Sequence, residues 1–234
     1  MKKLKALCLI ILAMASAVVL HSCDNDDNPA ICIYPGDSGQ AIVTVKPNAD
    51  NSAVTLQLND SATLAPKNMT KSPWGATEKR AYLYFSFNGT KPNANGLLEV
   101  IVHKIDSILT KGMNADLGEG NDKAYGKDPV EIVKSWETNA EDGYLTLRFR
   151  TNFGMADVTH KVTLIPVKHE NGEYEVEFRH DANGDTGGTL ADGIVAFRLD
   201  DAYNQPDKPY NLKIRWKSFS GDKSTTFKYI PRKK

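Results

Sequence analysis

The stretch "YLTLRFRTN", residues 144–152, alternates apolar and polar side chains without a break. Leu145, Leu147 and Phe149 fall on one face, and Thr146, Arg148 and Arg150 on the other. A period of two belongs to a β-strand with one face against a core. The pattern recurs in both directions. Upstream, "QAIVTVK" (40–46) puts Ala41, Val43 and Val45 on one side, and "AVTLQLN" (53–59) does the same with Val54, Leu56 and Leu58. "ND" at 59–60 turns the chain into a short "ATLAP" (62–66). "RAYLYFSFNG" (80–89) sets Ala81, Leu83, Phe85 and Phe87 against Tyr82, Tyr84 and Ser86, and "GLLEVIVHKIDSI" (96–108) is one long strand. Downstream come "HKVTLIPV" (160–167), "EYEVEFRH" (173–180), "GIVAFRL" (193–199), "YNLKIRWKSF" (210–219) and "STTFKYI" (224–230), with "SGDK" (220–223) closing the last two into a hairpin. "DPVEIV" (128–133) reads as a strand or as a short helix capped by Asp128 with Pro129 in its first turn.

Helical periodicity is scarce, so the fold class is all-β. About five short strands in the first half fit an OB-like small barrel, 39–108. About seven in the second half fit an antiparallel β-sandwich, 129–234. Between them "LTKGMNADLGEGNDKAYGKD", 109–128, is glycine-rich and poor in apolar residues, and reads as a linker.

The N-terminus carries the address. "MKKLKALCLIILAMASAVVL" has a basic start and an apolar run, the two regions of an export signal, and it is too short to span a bilayer comfortably. Residues 1–22 are expected to be a lipoprotein signal peptide. Cys23 follows "LHS", with a large aliphatic residue at −3 and a small one at −1, which resembles a lipobox with Cys23 as the acylated first residue. "ASA" at 15–17 offers ordinary cleavage instead. Residues 23–38, rich in Asp, Asn, Pro and Gly, read as a flexible acidic tether. With Cys8 lost in the leader and Cys23 acylated, Cys32 is expected to lack an intramolecular partner, leaving the fold to its core alone.

The 234 residues carry 29 Lys+Arg and 29 Asp+Glu, and removing the leader takes three lysines away, so the mature chain is mildly acidic. No basic excess points to nucleic acid. The mean hydropathy of −0.42 argues against a multi-span membrane protein.

Several second-half stretches belong together: "KDPVEIVKSW", "GYLTLRFR", "HKVTLI", "YEVEFRHDANGDT", "LKIRW" and "TTFKY". In this order they resemble the NigD-like lipoproteins of Bacteroidetes. The resemblance implies an OB-like domain followed by a β-sandwich behind a lipoprotein signal. It also implies a link by name to bacteriocin production, and no catalytic residues. In that phylum, acids just behind the lipidated cysteine resemble an export signal to the cell surface. The resemblance therefore gives Asp24, Asp26 and Asp27 that role and places the protein on the outer membrane, with periplasm-facing anchoring as the alternative.

Candidate chemistry is sparse. In "DANGDTGGTLAD" (181–192), Asp181, Asn183 and Asp185 have one-three-five spacing and Asp192 stands at position twelve, as in a calcium loop. Thr186 takes the place where such a loop needs glycine, and strands flank it, so a hairpin turn competes. His160 and His180 lie at strand ends and could meet across the sheet. Glu173, Glu175 and Glu177 share one face, expected to be an exposed stripe pairing with Arg148 or a neighbouring lysine. Tyr82, Tyr84 and Trp74 are candidate stacking platforms. "DSA" (60–62) and "DSI" (106–108) resemble an O-glycosylation sequon with Ser61 and Ser107 as acceptors. No nucleophile elbow, phosphate loop or dinucleotide fingerprint occurs. The chain is therefore expected to be non-enzymatic and to hold no cofactor, calcium aside. Its membrane contact is expected to be the lipid anchor and its partner a protein or glycan. A calcium-assisted carbohydrate-binding module is the alternative. The sequence does not specify an oligomeric state.

Overall fold

The structure is a computed structural model that describes residues 31–34, 38–89, 91–167 and 174–232. The expected leader, Cys23, Asp24, Asp26, Asp27, His169 and Glu173 lie outside the described residues. Among the described residues no helix is long and apolar enough to cross a membrane.

Six strands build the N-terminal domain: β1 (Ile31–Tyr34), β2 (Ser38–Pro47), β3 (Val54–Gln57), β4 (Thr63–Pro66), β5 (Lys79–Phe87) and β6 (Leu98–Ser107). The order β2-β3-β4-β6-β5 closes on itself because β5 returns to pair with β2 from Ser38 to Val45. In this closed five-strand barrel β4 and β6 run parallel and the other ring pairings are antiparallel. The lumen is filled by Val43, Val45, Leu56, Ala81, Leu83 and Phe85, which alternation selected, together with Leu64. A bulge between Tyr84 and Phe85 in the β5–β6 register lets the long pair bend round the barrel.

β1 corrects the tether. Residues 31–34 pair with β2 at Ser38–Ala41, the part of that edge which β3 does not reach, so backbone groups otherwise left open are satisfied. Cys32 is buried there and disulfide-bonded, to a residue outside the described ones. The expectation that Cys32 has no partner is corrected with it.

Nine strands follow: β7 (Leu109–Gly112), β8 (Glu131–Ile132), β9 (Asn139–Glu141), β10 (Tyr144–Phe153), β11 (Lys161–Val167), β12 (Tyr174–Asp181), β13 (Thr189–Arg198), β14 (Tyr210–Ser218) and β15 (Gly221–Tyr229). One sheet runs β7-β13-β10-β8, with β9 also on β10; the other runs β11-β12-β14-β15. Their inner faces share a core in which Leu145, Leu147, Phe149, Val195 and Phe197 meet Leu164, Val176, Phe178, Leu212 and Ile214. The sandwich is not purely antiparallel, since β7 runs parallel to β13 and β12 parallel to β14. "DPVEIV" contributes the short strand β8.

The expected linker belongs to the sandwich. Leu109–Gly112 is an edge strand, and beyond it Asn114 donates its amide to the carbonyl of Leu164. A 3₁₀ turn (Gly118–Gly120) and helix α1 (Asn121–Tyr125) then lead back to the sheets. The edge position leaves Leu109 and Gly112 exposed and Thr110 and Lys111 half-buried, so no alternation marks the strand. A second short helix, α2 (Asp201–Asn204), precedes β14.

The barrel docks on the outer face of the β10–β13 sheet. Tyr144 and Ala196 point away from the sandwich core into an apolar cluster with Ile42 and Ile108, flanked by Tyr82, Trp136 and Ile194. That sheet is therefore covered on both faces over this area.

Candidate functional site

The domain junction gathers the most chemistry. β9 and β10 are joined through Asp142 and Gly143, both at positive φ (47° and 81°), the geometry of a tight primed hairpin turn. The turn drives Glu141 and Asp142 into the seam with the barrel. Arg80, wholly buried on β5, donates to Glu141 at 2.8 Å, to Asn139 at 3.3 Å and to Thr44 at 3.0 Å. Lys46 pairs with Asp142 at 2.7 Å. Asp60 sits on an exposed turn, but its carboxylate faces inward and accepts the Asp142 amide at 2.7 Å. Burial raises the Asp60 pKa and raises that of Glu141 to about 7, against the pull of Arg80. On the far side Glu78 takes a fork from Arg232 (2.6 and 2.7 Å) and the Tyr144 hydroxyl (2.7 Å). Burial opposes its charge, but these donors hold it down to about 2.

Beside this seam lies an aromatic row. Trp136 packs edge-on against Tyr82 with ring centroids 5.4 Å apart, and Tyr82 neighbours Tyr84 at 5.7 Å. Tyr84 is exposed, and Tyr82 and Trp136 are half-buried. From the loop that carries Trp136, Glu137 binds Arg148 at 3.0 Å, and Asp192 binds both Arg148 and Arg150. Of the three expected stacking residues, Trp74 packs against the barrel core instead. Trp136 was missed because its loop carries no periodicity that would orient it.

The 181–192 segment does not assemble a calcium cage. Asp181 caps its own turn through the Asn183 amide, and Asn183 is at φ 50°. Asp185 is buried and accepts the amides of Gly154 and Met155 at 3.0 Å, which hold its pKa below the usual range. Asp192 is not in the loop at all; it lies on β13 opposite Arg150 and is held by two arginines. The turn accounts for these residues, and among the described residues no group of three His, Cys, Asp or Glu is placed to hold a metal.

The two histidines do meet. His160 Nδ1 is 2.9 Å from His180 Nε2, and His160 Nε2 is 3.2 Å from Asp185. The chain is sealed by Phe153 stacked on His160 at 4.4 Å, and burial, then His160, lowers the His180 pKa.

The glutamate stripe is corrected as well. Glu175 is buried and pairs with Lys213 at 3.1 Å and Arg215 at 3.9 Å, because β14 runs parallel beside it. Glu177 binds Arg215 and Arg179, and Arg148 is engaged elsewhere. Ser61 and Ser107 are both exposed.

Comparison with known proteins places this architecture. The model of the NigD-like N-terminal OB domain matches residues 42–108, and that of the NigD-like C-terminal β-sandwich domain matches 113–229. A presumed toxin-related protein of Parabacteroides distasonis is 30% identical, with a TM-score of 0.69 over 83% of this chain and 94% of that one. A NigD-like immunity protein of Bacteroides caccae shares the fold at 18% identity and TM-score 0.59, over 82% of this chain and 97% of that one. A presumed lipoprotein of Bacteroides fragilis does so at 14% identity and TM-score 0.59, over 84% of this chain and all of the other. No curated protein matches the chain. With both domain models matched in order across most of its length, the chain belongs to the NigD-like family.

Proposed function

We propose that this protein is a lipid-anchored protein of the outer membrane, facing the cell surface, that binds a protein partner and catalyses no reaction. The observation that carries the binding reading is the row Tyr84–Tyr82–Trp136 beside Arg148 and Arg150. Tyr, Trp and Arg dominate the binding energy of protein interfaces, because each offers large area with a polar end. Here the two tyrosines come from the barrel and Trp136 from the sandwich. The immunity protein among the relatives makes a protein the first partner class to seek, ahead of a glycan.

The test is a photo-crosslinking residue at position 84 in cells producing the full chain. A discrete adduct that disappears with Trp136→Ala supports the reading, and no adduct at this face sinks it. A glycan-binding outcome would show as binding to purified envelope polysaccharide that Trp136→Ala also abolishes. Anchoring rests on "LHSC" and is tested separately with Cys23→Ser. Loss of lipid labelling and release from the membrane fraction are expected, and unchanged membrane association overturns it. Cys23 cannot carry a thioether-linked lipid and a disulfide together, so a Cys23 disulfide in the mature protein would also overturn it. Protease accessibility on intact cells distinguishes surface from periplasm-facing display.

A further inference from the structure

One corner of the junction holds more carboxylates than enclosed cations. Asp60, Glu141 and Asp142 converge from the β3–β4 turn and the β9–β10 turn. Facing them are Arg80 from β5 and Lys46 from β2. Arg232 reaches within 3.6 Å of Asp142, but both its terminal nitrogens are held by Glu78, so that pair is already neutral. Arg198 donates to the Tyr144 hydroxyl and lies 3.9 Å from Glu78, but its side chain is 54% exposed, so water screens its charge from the buried carboxylates. Tyr144 and Tyr229 stay uncharged, their phenols pushed up chiefly by burial. Two cations thus meet three carboxylates in a seam closed by Ile42, Ile108 and Tyr144. Two of the carboxylates also have a buried oxygen with no hydrogen-bond partner among the described residues, Glu141 Oε2 and Asp142 Oδ2. A buried charge in excess is expensive, and an unpaired buried oxygen adds to the cost. One proton removes the excess charge.

We propose that the junction is a proton-dependent latch: one proton resides on the Glu141 and Asp60 carboxylates, and its departure loosens the barrel from the sandwich. Glu141 is the most enclosed of the three and the natural holder. The direction of the effect follows from linkage. A carboxyl whose pKa is raised when the domains are docked binds more proton docked than apart. Docking is then strongest below the ordinary carboxyl range and weakens as pH rises toward 7. Above 7 the docked carboxyl is ionised too, and the dependence levels off. Since the two domains carry the aromatic row between them, the latch would couple its geometry to external pH.

The experiment is amide hydrogen exchange on the full chain from pH 5.5 to 8.0, corrected for intrinsic rates. The reporters are Asp142, whose amide binds Asp60, and Ile108, whose amide binds the Arg80 carbonyl. Protection at these two should fall by up to about tenfold per pH unit as pH rises to 7, then level off. Val43 in the barrel core and Leu164 in the sandwich core should hold constant. Glu141→Gln should flatten the junction profile. So should Asp60→Asn, which equalises the charges and, on an exposed turn, is tolerated if the first variant fails to fold. A flat wild-type profile overturns the latch, as does a wild-type slope retained in both variants. A slope shared equally by the two cores would mean whole-molecule unfolding and overturns it too.

Discussion

Arg80 Nη2 lies 2.8 Å from Glu141 Oε1 across the seam between barrel and sandwich, and both side chains are closed off from solvent. A buried pair of this kind is weak evidence for stability as a unit, but removing one partner strands the other. At pH 7.5, Arg80→Met should cost up to about 3–5 kcal/mol in urea unfolding, because Glu141 loses its buried partner and must take up a proton to stay in the seam. Adding Glu141→Gln should recover part of that loss. A single variant as stable as wild type would mean that water reaches the pair.

The Asp185–His160–His180 chain ties two loops to β12. Asp185→Asn removes a carboxylate that two backbone amides and a histidine share, and the melting temperature should fall by several degrees at neutral pH. Asp185 has a lowered pKa, so its contribution is present above the ordinary aspartate pKa and is lost as pH falls through the lower, folded value. The gap between wild type and variant should therefore hold above pH 5 and close below about 4.

His180 titrates in the opposite sense to Glu141. Its pKa is lowered by burial, then by His160, so the folded chain binds less proton than the unfolded one just below pH 6.5. Stability from this site is lost as pH falls from 6.5 through the folded pKa. Nuclear magnetic resonance of its ring protons should show a midpoint below 6.5, and a midpoint at or above that value would refute the burial argument.

Gly188 is at φ 87°, and a Cβ there would stand 2.2 Å from the Phe153 carbonyl oxygen. Gly188→Ala should destabilise by about 1–3 kcal/mol or more, since strain and overlap add. Gly184, also left-handed but in open space, should tolerate alanine better, and equal losses at both would rule out the overlap.

Calcium should have no effect on the melting temperature at millimolar concentration, because Asp185 and Asp192 are engaged by other partners. Arg150→Ala, at an exposed ion pair, should move it by no more than about 3 °C. A calcium-dependent rise would restore the loop reading.

Much of the fold was legible in the strands. Val43, Leu83, Leu147 and Phe178 are all buried where a period of two placed them. Alternation is written locally and needs no knowledge of neighbours. The edge strand β7 escaped because it exposes its side chains on an irregular pattern, and β1 escaped because it is only four residues long. Their evidence is backbone pairing, which leaves no mark in composition.

The sequence by itself determined the strand set, the two-domain order, the family and the candidate anchor at Cys23. Only the tertiary structure decided which polar face would be buried. Thr146 and Ala196 lie on the side of their strands away from the sandwich core, yet both are fully enclosed because the barrel docks there. Arg80 and Glu141 stand 61 residues apart and meet only when the two domains close. Glu175 looks solvated in its own strand and is buried because β14 lies beside it. A side chain's alternation names its face, but the partner that covers that face comes from elsewhere in the chain.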